Sequence, residues 1–110
     1  MSYVRREEAH SLYDLFSPML GLLGRVVEQV RGGGHGDEEL EALRELLAGL
    51  PLTTEEFGLA STRMGNAHRY VKAHEHGAAR WELNALRGQL QRQLYLQTGG
   101  RRLRHREMAE

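Results

Sequence analysis

The chain has 110 residues with 15 basic and 15 acidic side chains, no net charge, 40% hydrophobic residues, 6% aromatics and no cysteine. That length and balance fit one globular domain and exclude disulfides, cysteine-ligated zinc, iron–sulfur clusters and thiol catalysis. No run approaches the ~18 apolar residues of a membrane-spanning helix, and the first residues lack the pattern of a secretory signal, so the expected setting is the cytoplasm, with no membrane partner.

The apolar positions Leu12, Phe16, Met19, Leu23, Val26 and Val30 recur at spacings of four and three, the signature of one helical stripe. Because the register continues across Pro18, the spacing predicts a single first helix kinked at that proline. Leu15, Leu20, Leu22 and Val27 lie off the stripe. A helix that is apolar on most of its circumference needs more than one neighbour, so these four are the candidate interface residues. Gly32-Gly33-Gly34-His35-Gly36 ends the helix in a turn. No strand precedes it and no Gly-Lys-Ser/Thr follows, which argues against phosphate binding there.

Asp37 is expected to cap a second helix, with Glu38, Glu39 and Glu41 favourable to its dipole. Leu40, Leu43, Leu47 and Leu50 form its buried face with Leu46 beside it, and Gly49 and Pro51 close it. Thr53 and Glu56 have the spacing of a capping box, and Leu52 and Phe57 that of a hydrophobic staple. The third helix they start carries the stripe Phe57, Ala60, Met64, Ala67, Val71. A turn is expected near residues 75–78, with Gly77 as the left-handed residue. The alternative is one helix from Thr54 to about Gln97, since the two stripes differ by only ~40° at 100° per residue. A fourth helix carries Ala79, Leu83, Leu86, Leu90 and Leu94. Trp81 and Tyr95 are expected to fill the core with Met19 and Met64. The fold class is therefore all-α, a small antiparallel bundle of about four helices over residues 1–98. Residues 99–110 form a basic tail, disordered or a short helix.

Charge is uneven along the chain: residues 32–56 carry one Arg against seven acids, and residues 57–110 carry ten basic residues against four acids. Six histidines invite a metal reading, but no two lie three or four apart, as ligands one helical turn apart would. No metal and no other cofactor is expected. His74 reads as a polar end of the core and His76 as a helix end near the negative pole of a dipole. There is no Ser–His–Asp spacing to test and no nucleophile elbow, so no enzyme is expected. What remains is an interaction or regulatory module with a protein partner, acting by self-association as a homo-oligomer.

Nucleic-acid binding is the alternative. Residues 57–76 can be read as a helix-turn-helix with Ser61 at the small position and Gly65 at the turn. Asn66, Arg69 and Lys72 would then face bases or phosphates, with Arg63 beside them. Arg101, Arg102, Arg104 and Arg106 offer further phosphate contacts. A third reading comes from Ala67-His68-Arg69-Tyr70-Val71-Lys72 followed by Gly77-Ala78, which resembles the layout of histidine phosphotransfer domains, themselves four-helix bundles. The resemblance covers about twenty residues and implies phosphoacceptance at His68. It departs at Val71, where a basic residue would stand, and Lys72 comes one step late.

Overall fold

A computed structural model describes the backbone of residues 2–99 and the side chains of residues 12–99. It contains four helices: α1 (Ser2–Arg31), α2 (Asp37–Ala48), α3 (Thr54–Lys72) and α4 (His76–Gln97). Short connections reverse the chain each time, and every helix packs on its two neighbours around the ring α1–α2–α3–α4. The fold is the all-α four-helix bundle that the periodicity implies, with a turn between α3 and α4 and not one long helix. The tail beyond Gly99, including Arg101, Arg102, Arg104 and Arg106, lies outside the described residues, as does the side chain of His10.

The core is built from the stripes that the spacing marks out. Phe16, Met19, Leu23, Val26 and Val30 of α1 meet Leu40, Leu43 and Leu47 of α2, Ala60, Met64, Ala67 and Val71 of α3, and Ala79, Leu83, Leu86, Leu90 and Leu94 of α4. α1 runs unbroken through Pro18. Proline removes the amide that would bond to the carbonyl of Asp14, and both residues are exposed, so water can serve that carbonyl.

Helix lengths decide what the bundle leaves open. At 1.5 Å per residue α1 is ~45 Å long, α4 ~33 Å and α2 only ~18 Å. The α1–α2 register is fixed where Gln29 Nε2 donates to Glu39 Oε2 at 3.4 Å. At the opposite end Gln97 Nε2 donates to the Pro51 carbonyl at 3.2 Å, which brings the end of α4 to the α2–α3 connection. A Cβ at Gly24 would lie 3.7 Å from Arg87 Nη2, so these two positions face each other across the α1–α4 seam. Counting away from that pair in opposite directions, α4 ends beside Asp14, and the residues of α1 before it project past α4.

The helix ends show why some local expectations hold and others do not. Thr53 caps α3 as expected: its Oγ1 accepts the Glu56 amide at 3.1 Å, and Glu56 Oε1 accepts the Thr53 amide at 2.9 Å. Such a box stabilises a helix by about 1 kcal/mol. Asp37, by contrast, is the first residue of α2, and the cap position is Gly36 in the left-handed conformation, φ 61°, with no side-chain cap bond. Gly33 at φ 89° closes α1 through Gly33 N–H to Val30 O and Gly34 N–H to Gln29 O, the two bonds of a Schellman motif. Two left-handed glycines therefore make the α1–α2 reversal.

The same motif ends α3, but the left-handed residue is His74, at φ 62°, and not Gly77. His74 N–H reaches Val71 O at 3.0 Å and Glu75 N–H reaches Tyr70 O at 2.8 Å. Gly77 lies inside α4, and His76 opens that helix at its positive pole instead of closing one at its negative pole. A side chain costs roughly 1 kcal/mol in the left-handed region relative to glycine. His74→Gly is thus expected to stabilise the protein by about 1 kcal/mol, read as a rise in the urea midpoint with an unchanged slope. A fall in the midpoint would show that the imidazole contributes more than the strain it imposes.

Candidate interaction surfaces

Three corrections concern large apolar side chains. Phe57, at the head of the α3 stripe, is 42% exposed; Trp81 is 64% and Tyr95 48% exposed. Trp81 lies about 180° from the core stripe of α4 at 100° per residue, so packing cannot reach it. Tyr95 lies about 140° from the same stripe, so it too stands on the outer face of α4. Met19 and Met64 are buried, as expected.

The four candidate interface residues separate. Val27 is buried, Leu20 and Leu22 are half-buried against the core, and Leu15 is 46% exposed. Leu15 and Leu22 lie on the same flank of α1 as Gln29, the flank that faces α2. α2 reaches Leu22 but ends before Leu15. Tyr13, 50% exposed, stands on the other flank, where α4 runs out. Tyr95 and Leu96 are at the end of α4 itself, and both are exposed. Four large apolar side chains from two helices thus stand exposed at one end of the bundle, Tyr13 and Leu15 where the covering helices run out, Tyr95 and Leu96 because they lie ~140° and ~120° from the core stripe of α4.

A second surface is the groove between α2 and α3, of about 180 Å³, lined by Arg44, Leu47, Phe57, Ser61 and Met64. Beside it His68 faces two partners: its Nδ1 lies 3.4 Å from Arg44 Nη2 and its Nε2 lies 3.7 Å from Asp37 Oδ1. Both ring nitrogens of His68 thus have a charged side chain beside them.

A polar cluster at the α3–α4 seam was not legible in the sequence. Glu82 is 8% exposed and accepts from Arg63 Nη1 at 3.3 Å and from Asn66 Nδ2 at 3.1 Å. Arg69 in turn donates to Asn66 Oδ1. The Arg63 guanidinium also lies 5.9 Å from the Trp81 ring centroid. Gln89 and Gln93 continue the buried polar flank, and Gln89 Nε2 donates to the Glu56 carbonyl at 3.1 Å. In the sequence Glu82, Gln89 and Gln93 look like ordinary helix surface.

The basic residues of α3 therefore do not form one strip. Arg63 is drawn into an ion pair, and Arg69 and Lys72, both exposed, lie ~120° and ~180° from it around the helix. The helix-turn-helix reading is overturned, because α3 continues from Thr54 to Lys72 straight through Gly65. His35, distant in sequence from His74 and His76, meets them at the other end of the bundle, with ring centroids 5.8 Å apart for His35–His74 and 6.1 Å for His74–His76. Among the described residues no three His, Asp or Glu side chains are placed to hold a metal ion. No described helix is long and apolar enough to cross a membrane. Compared with known families, curated proteins and solved structures, the chain matches none.

Proposed function

We propose that this chain is a protein–protein interaction module that works by self-association through the open end of its bundle. The observation that carries the reading is that Tyr13, Leu15, Tyr95 and Leu96, each at least 40% exposed, all lie at the end of the bundle where α1 outruns its neighbours. Tyrosine with adjacent aliphatic side chains is the composition of an interface centre, and covering such a patch removes apolar surface from water. A second copy has the same projecting α1 to offer, so two open ends can cover each other about a two-fold axis. The reading assigns the chain no catalytic step and no cofactor. It also moves the interface from the middle of α1, where Val27 is already covered, to its beginning.

Sedimentation velocity over a concentration series tests this. The unmodified protein is expected to form a dimer, and Tyr95→Ala to weaken the dimer about 30-fold, as loss of an interface hot spot does. The unfolding midpoint of the monomer should barely move, because Tyr95 is half exposed. A chain that remains monomeric across the series would overturn the proposal.

A further inference from the structure

Opposite charges collect on two helices set diagonally across the bundle. α2 and α4 stand at opposite corners of the ring, with the core between them. Glu38 and Glu45 lie ~180° around α2 from its buried stripe of Leu40, Leu43 and Leu47, so both face outward. Arg87 lies on the flank of α4 toward α1, where its guanidinium rests over Gly24. Arg80, seven residues earlier, shares that flank. The ion pairs among the described residues are Arg31 with Glu28, Arg44 with Glu41, Arg63 with Glu82 and His68 with Asp37. Glu38, Glu45, Arg80 and Arg87 enter none of them.

The two unpaired sets have the same spacing. Seven residues separate Glu38 from Glu45 and Arg80 from Arg87, ~10.5 Å along each axis and ~20° short of two full turns. The acids form a ridge on α2, whereas the arginines line a seam. On the α1 side of that seam Gly24 raises no side chain, and Gly21 before it is exposed as well. Arg80 and Arg87 are half-buried, and each has its Nε buried without an acceptor. Their stems are thus packed and already ordered, so pairing with a carboxylate costs little further side-chain entropy. A helix with carboxylates seven residues apart fits this seam, and α2 of a second copy is such a helix. At ~33 Å, α4 is long enough to take the whole ~18 Å of α2.

We infer that α2 of one copy docks on the α1–α4 seam of another, with Glu38 and Glu45 meeting Arg80 and Arg87. The two surfaces lie on opposite sides of one bundle, so the contact is heterologous, and each docked pair leaves a ridge and a seam open to further copies. Exposed ion pairs are weak singly and screened by salt, so the contact forms at low ionic strength and dissolves at high. The inference does not rest on the contact through Tyr13, Leu15, Tyr95 and Leu96, which uses the end of the bundle and is judged on the unmodified protein at high salt.

Sedimentation velocity in a Tyr95→Ala background, where the end contact is weakened, tests the inference. At low salt this protein is expected to form species larger than a dimer as its concentration rises. At about 1 M salt, where screening acts within ~3 Å, those species should be gone. Glu38→Gln with Glu45→Gln should weaken the low-salt association at least about tenfold, and so should Arg80→Gln with Arg87→Gln. The glutamate variant alters only exposed side chains, so its urea midpoint should not move. Mixing the two variants is the sharpest measurement. One keeps its seam and the other its ridge, so together they should form a one-to-one complex that grows no further. A monomer at low salt would overturn the inference, as would association that 1 M salt leaves intact, or a mixture that behaves as its separate components. So would salt-sensitive retention on a duplex DNA column that the arginine variant loses, with self-association unchanged in both variants. The seam would then belong to nucleic acid.

Discussion

Phe16→Ala is expected to lower stability by about 4 kcal/mol and the melting temperature by about 20 °C. Phe16 is fully buried on the central stripe of α1, surrounded by side chains that cannot all move into the space a phenyl ring leaves. Two losses add: the transfer free energy of the ring and the contacts missing around the cavity. A domain of this size has a total stability of roughly 5–15 kcal/mol, so the variant should stand close to unfolding at 37 °C. Trp81→Ala removes a larger side chain and is expected to cost under ~1 kcal/mol, since Trp81 is 64% exposed and gives up little beyond its contact with the Arg63 guanidinium. Thermal and urea unfolding of the two variants side by side measure the contrast. Equal losses would mean that the exposed face of α4 is covered in solution.

The second large effect is asymmetric. Arg63→Met is expected to cost about 2–3 kcal/mol, because it leaves the buried Glu82 carboxylate with Asn66 as its one remaining described donor. Removing one partner of a buried pair exposes the full desolvation cost of the other, whereas replacing both by apolar groups is often neutral. Adding Glu82→Leu to Arg63→Met should therefore recover at least half of the loss, although it removes a further polar contact. A double-mutant cycle on urea midpoints gives the coupling directly. If the double variant were weaker than Arg63→Met alone, the pair would be a net contributor to stability and not a charge held in check.

Glu82 also marks the boundary between local and tertiary information. In sequence it is one acid among polar residues on the flank of α4, indistinguishable from Glu75 or Gln91. It becomes buried because α3 brings Arg63 and Asn66 across that flank. Gln89 is buried in the same way, with the Glu56 carbonyl of α3 as its acceptor. Helical spacing tells which side of a helix faces inward, but the flanks at ±60–90° are polar or apolar for reasons set by the neighbour.

Leaving open whether Thr54 to about Gln97 is one helix or two, the sequence by itself determined the order of the helices and their central stripes. Those follow from spacings of three and four, and from signals acting over a few residues such as Thr53 with Glu56. Only the tertiary structure decided the surfaces. Val27 and Leu15 are equally apolar and equally displaced from the stripe of α1, yet Val27 is buried and Leu15 is 46% exposed. The difference lies in what stands opposite: α4 passes Val27, whereas α2, at 12 residues, ends before it reaches Leu15. His74 follows the same logic, since it adopts φ 62° so that α3 can end where α4 must turn back against α1. Local spacing fixes which residues turn inward along one helix, but exposure depends on the lengths and registers of the others, and those are settled only when the four helices pack.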